Sequence, residues 1–237
     1  MSVLAANVRA SALELWRYPS FSISALLFPP TLFLVFAHAY RQPPETRVAG
    51  FAAVAILGVV FFQFGVGIAS DRVSTWELYL RTLPVAPGVR VAGRVCSGLG
   101  FAAAAAGAVV VVAVATTPPS LSAERWVELC AVLLLGSVPF GLLGIAIGYV
   151  TSPRAALPVA NLLYLPLSYT GGLWAGPRHA PGYFVVVPTH AWARLLWWAA
   201  GASGFSSAAA VLLAVWGVAF GVIAVWAYRR DEGERFS

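Results

Sequence analysis

Six long apolar runs with very few charged residues constrain what this chain can fold into. They cover roughly residues 20–40, 48–69, 92–115, 127–150, 155–174 and 206–228. An α-helix needs roughly 20 apolar residues to cross the hydrocarbon core of a membrane. We therefore predict an all-α membrane protein with six transmembrane helices, numbered spans 1 to 6 in chain order.

The composition leaves little of the chain outside the membrane. Hydrophobic residues make up 60% of the sequence and charged residues only 10%, whereas soluble domains are about 25% charged. We expect one transmembrane domain over residues 1–237, with spans 1 to 5 within residues 20–174 and span 6 at 206–228. This leaves no room for a soluble catalytic domain.

The N-terminal segment, residues 3–17, has a modest amphipathic pattern. Leu4, Val8, Ala12 and Leu15 fall on one helical stripe. Such a stripe predicts a helix that lies in the membrane interface. The alternative is a plain extension of span 1.

Residues 175–205 are apolar but broken by three prolines, Pro177, Pro181 and Pro188. We expect one or two short helices that enter the membrane from outside without crossing it. Irregular backbone at this depth is tolerated only where it is buried in protein or lines a cavity. These prolines and Trp192 are therefore candidates for an outer gate.

Arginines are distributed unevenly between the two sides of the predicted bundle. With both termini in the cytoplasm, ten of the 15 basic residues lie inside and five outside, as the positive-inside rule requires. Trp174, Trp192, Trp197 and Trp198 then gather at the outer interface, as an aromatic belt does.

All 15 basic residues are arginine, because the sequence contains no lysine. A P-loop requires a lysine that reaches the nucleotide phosphates. The chain is therefore not a standard P-loop ATPase.

A short charged segment joins spans 2 and 3 on the cytoplasmic side. Its polar residues include Asp71, Arg72, Ser74, Glu77 and Arg81. Ser74 and Glu77 have the spacing of a capping box, and Glu77 and Arg81 form a favourable pair four residues apart. We predict a compact helix over residues 75–82, ended by Pro84. The alternative is a solvated connecting loop with an ordinary cap.

Polar residues inside the predicted spans are few, and no acidic residue lies clearly within a span. The candidates for substrate or pathway contact are Gln63, Asn161, Tyr164 and Tyr169. The alternative is that they make interhelical hydrogen bonds, which contribute about 0.6 kcal/mol on average. Ion-coupled carriers usually place charged groups in the membrane, so their absence favours an external source of energy.

The pairs Gly144–Gly148 and Gly217–Gly221 have the G-x-x-x-G spacing, which allows helices to approach closely. We interpret both pairs as packing sites.

The histidines and cysteines do not form a recognisable site. His38, His179 and His190 are expected near the outer face, as interface histidines. They share no metal-binding spacing, and a zinc site needs further ligands. Cys96 and Cys130 are expected near opposite ends of neighbouring spans, too far apart for a disulfide. We interpret both as packing residues and assign no catalytic residue, metal or cofactor to this chain. A membrane enzyme is disfavoured because its usual motifs are absent.

The string DRVSTWELYLRTLPVAPGVRVAGR resembles the segment after the second span of type-2 ABC exporter permeases, similar to daunorubicin-resistance-type permeases. The string LPVANLLYLPLSYTGGLW, followed by PGYFVVVPTHAWARL, resembles the fifth span and outer re-entrant helices of that family. The opening LELWRYPSFSISALLFPP resembles its entry into the first span. Ser74 replaces a usual glycine, and serine caps a helix at least as well.

The resemblance implies that residues 74–82 form a coupling helix that docks on a separate ABC ATPase subunit, with Asp71, Arg72, Ser74, Glu77 and Arg81 at the joint. Residues 3–17 would also touch the ATPase, and the helices between Pro177 and Gly201 would close the exit. ATP and Mg²⁺ would bind in the partner. Two permeases, identical or homologous, and two ATPases would form one exporter. The complex would lie in a bacterial plasma membrane in contact with lipid, and no nucleic acid is expected to bind.

The uncharged spans favour a hydrophobic or amphipathic cargo, such as a drug, a natural product or a lipid. A polysaccharide or lipid-linked glycan exporter is one alternative. A non-transporting scaffold or immunity protein of the same fold is another.

Overall fold

The computed structural model describes residues 19–36, 39, 42–75, 87–177 and 185–236. Seven helices account for nearly all of this part of the chain, and it contains no strand. They are α1 (Pro19–Phe36), α2 (Pro44–Asp71), α3 (Pro87–Thr116), α4 (Ala123–Val150), α5 (Pro153–Thr170), α6 (Pro188–Ala199) and α7 (Ser207–Phe236). The predicted all-helical class is confirmed for the described residues.

Local sequence signals explain where most of these helices begin. Proline is the first residue of α1, α2, α3, α5 and α6, a position where its missing N–H leaves no helical hydrogen bond unmade. Ser122 and Ser152 precede α4 and α5, and each side chain accepts a hydrogen bond from a backbone N–H in the first turn. The first turn of a helix has N–H donors without a partner in the helix. A proline removes one of these donors, and a serine cap accepts a hydrogen bond from another.

Helix α2 is the centre of the bundle. In its most apolar stretch 78% of the residues are buried, against 33% in α3 and 22% in α7. The helix contains one π-helical turn, Phe61–Val66, between α-helical parts at Pro44–Val60 and Gly67–Asp71. The predicted span at 48–69 gave no sign of this turn.

Helix α4 packs against α2 in the same direction. A Cβ on Gly144 would lie 2.6 Å from the carbonyl oxygen of Val60, and one on Gly148 would lie 2.6 Å from that of Phe64. Successive turns of the two helices therefore meet in chain order. The first glycine pair is confirmed as a packing site, between helices of the same chain.

Helix α7 also runs parallel to α4. Gly217 faces Pro139, while the rings of Tyr149 and Tyr228 lie 5.2 Å apart further along both helices. A Cβ on Gly217 would lie 3.4 Å from the Pro139 side chain, so the second glycine pair is also a packing site. The ends of α2, α4 and α7 thus meet at one end of the bundle, which we call the Arg72 end; their starts lie at the other, the Pro44 end.

Helix α5 returns the chain from the Arg72 end to the Pro44 end. It begins at Pro153, just after the end of α4. Two contacts fix the chain just beyond the end of α5. The carbonyl oxygen of Leu173 lies close to where a Cβ on Gly50 would be. The Gln42 amide donates a hydrogen bond of 2.8 Å to the Trp174 carbonyl. Both contacts are near the start of α2.

Four of the described helices are long and apolar enough to cross a membrane: Pro44–Asp71, Val95–Thr116, Ala123–Val150 and Ser207–Asp231. Leu26–Phe36 is apolar but shorter, and α5 is not among the four. Each of the six predicted spans contains a helix, but the count of six spans remains a prediction. The helix predicted over residues 3–17 lies outside the described residues.

Two sequence predictions about single side chains were wrong. Trp192 and Trp197 are 0% and 5% exposed, so they are core residues and not members of an aromatic belt, because α6 is covered on nearly all sides. Cys96 and Cys130 are free, as expected, but exposed. They therefore do not pack in the interior of this chain.

Candidate functional site

The cytoplasmic segment predicted to couple to an ATPase begins at the Arg72 end. The α2 helix ends at Asp71, and Arg72 and Val73 form a turn. The backbone N–H and the hydroxyl of Ser74 both donate to the Asp71 carbonyl, at 2.9 and 2.8 Å. Thr75 is helical; the rest of the predicted coupling helix, with Glu77 and Arg81, lies outside the described residues.

Arg72 binds inside the bundle. Its Nη1 lies 2.7 Å from the Asp231 carboxylate of α7, and the two side chains are only 14% and 11% exposed. The same guanidinium donates to the carbonyl of Tyr149 and, at 3.3 Å, to that of Thr151. Arg72 therefore links the end of α2 to the end of α4 and to α7.

Aromatic rings complete this cluster. The Arg72 guanidinium carbon lies 5.8 Å from the centre of the Tyr149 ring, and that ring meets Tyr228 edge to face. A cation over a ring face is favourable by about 0.5–1 kcal/mol or more. Removing one partner of a buried ion pair costs about 3–5 kcal/mol because the other charge is left unpaired. The Arg72 cluster (Arg72, Tyr149, Thr151, Tyr228 and Asp231) thus fixes the position at which the predicted coupling segment starts.

The second group of candidate residues lies along the middle of the bundle. Gln63 is in the π-turn and is half-buried. Tyr164 of α5 is 3% exposed, its ring lies edge to face with Phe62 at 5.7 Å, and it packs over Gly58. The π-turn and Tyr164 therefore form a common polar and aromatic contact between α2 and α5. Such turns are found frequently at functional sites.

The other two candidate pathway residues have different surroundings. The Asn161 amide donates to the carbonyl of Leu157 in its own helix, at 3.2 Å. Tyr169 is 59% exposed. Of the four, Tyr164 is therefore the one that joins α5 to α2. The Gln63 side chain lies toward α3, 3.6 Å from the position of a Cβ on Gly98, and the interhelical hydrogen bond considered for Asn161 is not its observed contact.

The third group is the proposed outer gate. Pro188 begins α6, whose 12 residues span about 18 Å at 1.5 Å each, less than the hydrocarbon core. Trp192 donates its indole N–H to the Val132 carbonyl at 2.9 Å and stacks on Phe140. A Cβ on Gly136 would lie 2.1 Å from the indole nitrogen, so the ring occupies the space that this glycine leaves open.

The start of α6 is also held in place. The Thr189 hydroxyl donates to the Leu167 carbonyl at 2.6 Å. Gly176 has φ +70°, a conformation that glycine adopts without strain. Pro177 follows it and is half-buried, while Pro181 lies outside the described residues. This part of the predicted re-entrant segment is a short buried helix fixed to α4 and α5.

The described residues contain no group of three or more His, Cys, Asp or Glu side chains arranged to hold a metal. His190 is 6% exposed and lies edge to face with Trp197. It is a core residue, and not the interface histidine that the sequence predicted.

Sequence reasoning missed two features of these sites. The π-turn has no distinct sequence signal. The pairing of Arg72 with Asp231 had a weak one, because each charge lies three residues beyond the end of a predicted span, at 69 and at 228.

Two comparisons with known proteins agree with this architecture. The family model described as ABC-2 type transporter matches residues 2–193. A Bacillus subtilis (strain 168) protein named "Putative transport permease YvfS" is 20% identical over 181 residues, which cover 73% of this chain and 74% of that protein. Members of this family are membrane subunits that work with an ABC ATPase. The helical bundle, its apolar spans and the match over most of its length show that this chain belongs to the ABC-2 type transporter family.

Proposed function

We propose that this chain is the membrane-spanning subunit of an ATP-driven exporter that moves a hydrophobic or amphipathic compound out of the cytoplasm or the inner leaflet. The observation that carries the proposal is the cytoplasmic exit of α2. The chain turns at Arg72 and Val73, re-enters a helix at Thr75, and is fixed to the bundle at that turn by the Arg72 cluster. This is the arrangement that a partner needs in order to push on the spans from the cytoplasm.

The distribution of charge supports an external source of energy. The acidic side chains with described contacts are at the helix ends: Glu45 accepts from Ser120 at the Pro44 end, Glu128 pairs with Arg125 near the start of α4, and Asp231 pairs with Arg72. None of these carboxylates is near Gln63 or Tyr164. An ion-coupled carrier would place one within the pathway.

The cargo class follows from the surroundings of the candidate pathway. Tyr164 is buried against Phe62 and Gly58, so a cargo that separated α5 from α2 would meet aromatic and small apolar groups. An apolar body with a few polar groups suits such surroundings. A sugar polymer would need more hydrogen-bonding side chains than these residues offer.

The proposed assembly contains two ABC ATPase subunits and a second permease, identical or homologous, in a bacterial plasma membrane. The proposed topology has six spans and both termini in the cytoplasm. ATP and Mg²⁺ act in the ATPase. The coupling contacts include Glu77 and Arg81, and the helices around Pro188 and Trp192 form the outer gate.

Co-purification from native membranes tests this proposal. We expect the tagged chain, extracted in mild detergent, to retain a soluble subunit with a Walker A lysine, identified by mass spectrometry. Glu77→Arg should lose this subunit, because a polar contact at the joint becomes repulsive. The matched control is Glu124→Arg, the same change at an exposed position in the first turn of α4. Recovery of no ATPase, even after cross-linking, would contradict the exporter and favour the scaffold alternative.

A further inference from the structure

We propose that Arg72 is a positioning residue that makes the start of the coupling helix, the turn between α4 and α5, and the cytoplasmic end of α7 move as one body. The inference rests on the proposed function, since it names the route by which motion of the ATPase reaches the last span. It assigns a transmission role to α7 that neither the family match nor the relative's name describes.

The contacts of Arg72 reach three parts of the chain at once. One guanidinium nitrogen is shared between the Asp231 carboxylate and the Tyr149 carbonyl, and the other reaches the Thr151 carbonyl. Arginine holds several donors in a rigid planar fork, whereas lysine has a single ammonium group on a flexible stem. The Arg72 guanidinium donates to acceptors on α4, on the turn between α4 and α5, and on α7. It therefore fixes these three parts of the chain relative to the coupling segment.

The position of Arg72 in the sequence makes this junction mechanically direct. Only Val73 and Ser74 separate it from the helical Thr75, and the Ser74 hydroxyl is bonded back to Asp71. A displacement of the coupling helix therefore reaches Arg72 through a short, hydrogen-bonded turn. Helix α7 has the least buried apolar stretch of the four long apolar helices. Its packing along α4 places it on the helix whose end Arg72 also holds.

An ion pair that only stabilises the bundle would have a different signature. It would lower the temperature of unfolding when removed, but the helix ends would keep their relative positions in the folded protein. A junction that transmits motion also controls the distance between α5 and α7 and its response to nucleotide. The tests therefore measure distances and not stability alone.

The first test uses the permease without its partner. Spin labels are placed at Arg154→Cys and Arg229→Cys, both exposed, in a chain carrying Cys96→Ala and Cys130→Ala. We expect one narrow distance distribution, and a broad one after Asp231→Asn or Arg72→Gln. Asp231→Asn keeps the carbonyl contacts of Arg72 and so guards against misfolding. Glu128→Gln is the control, because it removes an ion pair of similar length, 2.8 Å, within a single helix.

The second test uses the complex with its ATPase. Labels on the native Cys96 of α3 and on Arg229→Cys, with Cys130→Ala, report the position of α7 relative to a helix outside the junction. We expect the distance to shift between the nucleotide-free state and the state trapped with ATP, Mg²⁺ and vanadate. Asp231→Asn should lose this shift while the ATPase stays bound and hydrolyses ATP.

The outcomes separate this inference from the proposed function. If the distances between labels at 154 and 229 stay narrowly distributed in Asp231→Asn, Arg72 does not hold α7 to the other elements. This result would overturn the inference regardless of the measurements on the complex. A nucleotide-dependent shift of normal size in the same variant would overturn its role in transmission. Failure of the wild-type chain to retain an ATPase would contradict the proposed function, and with it the transmission role, and is detected at co-purification before any distance is measured.

Discussion

At the residue scale, the separation of α2 and α4 depends on two glycines. Gly144 and Gly148 face the carbonyl oxygens of Val60 and Phe64 at a distance that excludes even a methyl group. Without this close approach, Tyr149 and Thr151 at the end of α4 would not come within reach of Arg72. The close packing of α2 and α4 therefore determines the geometry of the Arg72 cluster.

We predict that Gly148→Ala lowers the free energy of unfolding by about 1–3 kcal/mol, the usual cost of overpacking a well-packed site. The added Cβ would lie 2.6 Å from the Phe64 oxygen and 2.7 Å from the Ile68 side chain. The measurement is the midpoint of thermal unfolding in detergent. Gly107→Ala is the control, since a Cβ there has no heavy atom within 4 Å. Equal midpoints for the two variants would contradict the close contact.

These residues also show how far the sequence could be interpreted. The G-x-x-x-G spacing predicted close packing, but the partner carbonyls belong to residues next to or within the π-turn, and a hydrophobic pattern does not encode that change of register. The resemblance to ABC exporter permeases implied that Arg72 lies at the joint with the ATPase. Its partner Asp231 is 159 positions away, and no local pattern connects two such residues.

At the element scale, α6 is a short helix that is held in the bundle interior by its Trp192 side chain. Ten of its 12 residues are buried, and Arg194 is exposed. Helices that are apolar on nearly all sides belong in an interior, and three prolines predicted correctly that this segment would not form a regular span. The direction of Trp192 was not predictable, because the sequence does not show that Gly136 leaves the space for its ring.

We predict that Trp192→Phe loosens α6 without unfolding the bundle. The variant keeps an aromatic ring for Phe140 but loses the hydrogen bond to Val132, worth about 1 kcal/mol, and some packing, for a total of about 1–3 kcal/mol. Thermal unfolding and the rate of proteolysis within residues 175–205 measure the effect. Trp226→Phe is the control, because Trp226 is 53% exposed on α7. A proteolysis rate no faster than that of the control would show that Trp192 does not hold α6 in place.

At the scale of the whole molecule, the buried and exposed faces of the bundle explain why this chain needs an apolar environment. The outer helices α3 and α7 present long rows of exposed valines, among them Val111, Val114, Val218 and Val222, which are 50–69% exposed. Lipid or a second permease must cover such surface. The sequence predicted the all-helical class, and the apolar runs gave the approximate bounds of the longer described helices. It did not show which helix is central, since α2, α3 and α4 are equally apolar but differ in burial.

The direction of the helices leads to the last prediction, which concerns topology. Since α2, α4 and α7 run parallel, the chain must return to the Pro44 end between each pair, through α3 in the first case and α5 in the second. The prediction is that the Arg72 end is cytoplasmic and the Pro44 end external. In a chain with Cys96→Ala and Cys130→Ala, a membrane-impermeant maleimide should label Ser203→Cys in intact cells, and Arg154→Cys only after permeabilisation. Both positions are exposed and differ only in the end of the bundle at which they lie. Labelling in the reverse order would show that the bundle has the opposite orientation, with the Arg72 cluster away from any cytoplasmic partner. Labelling of both positions in intact cells would show that α5 does not cross the membrane.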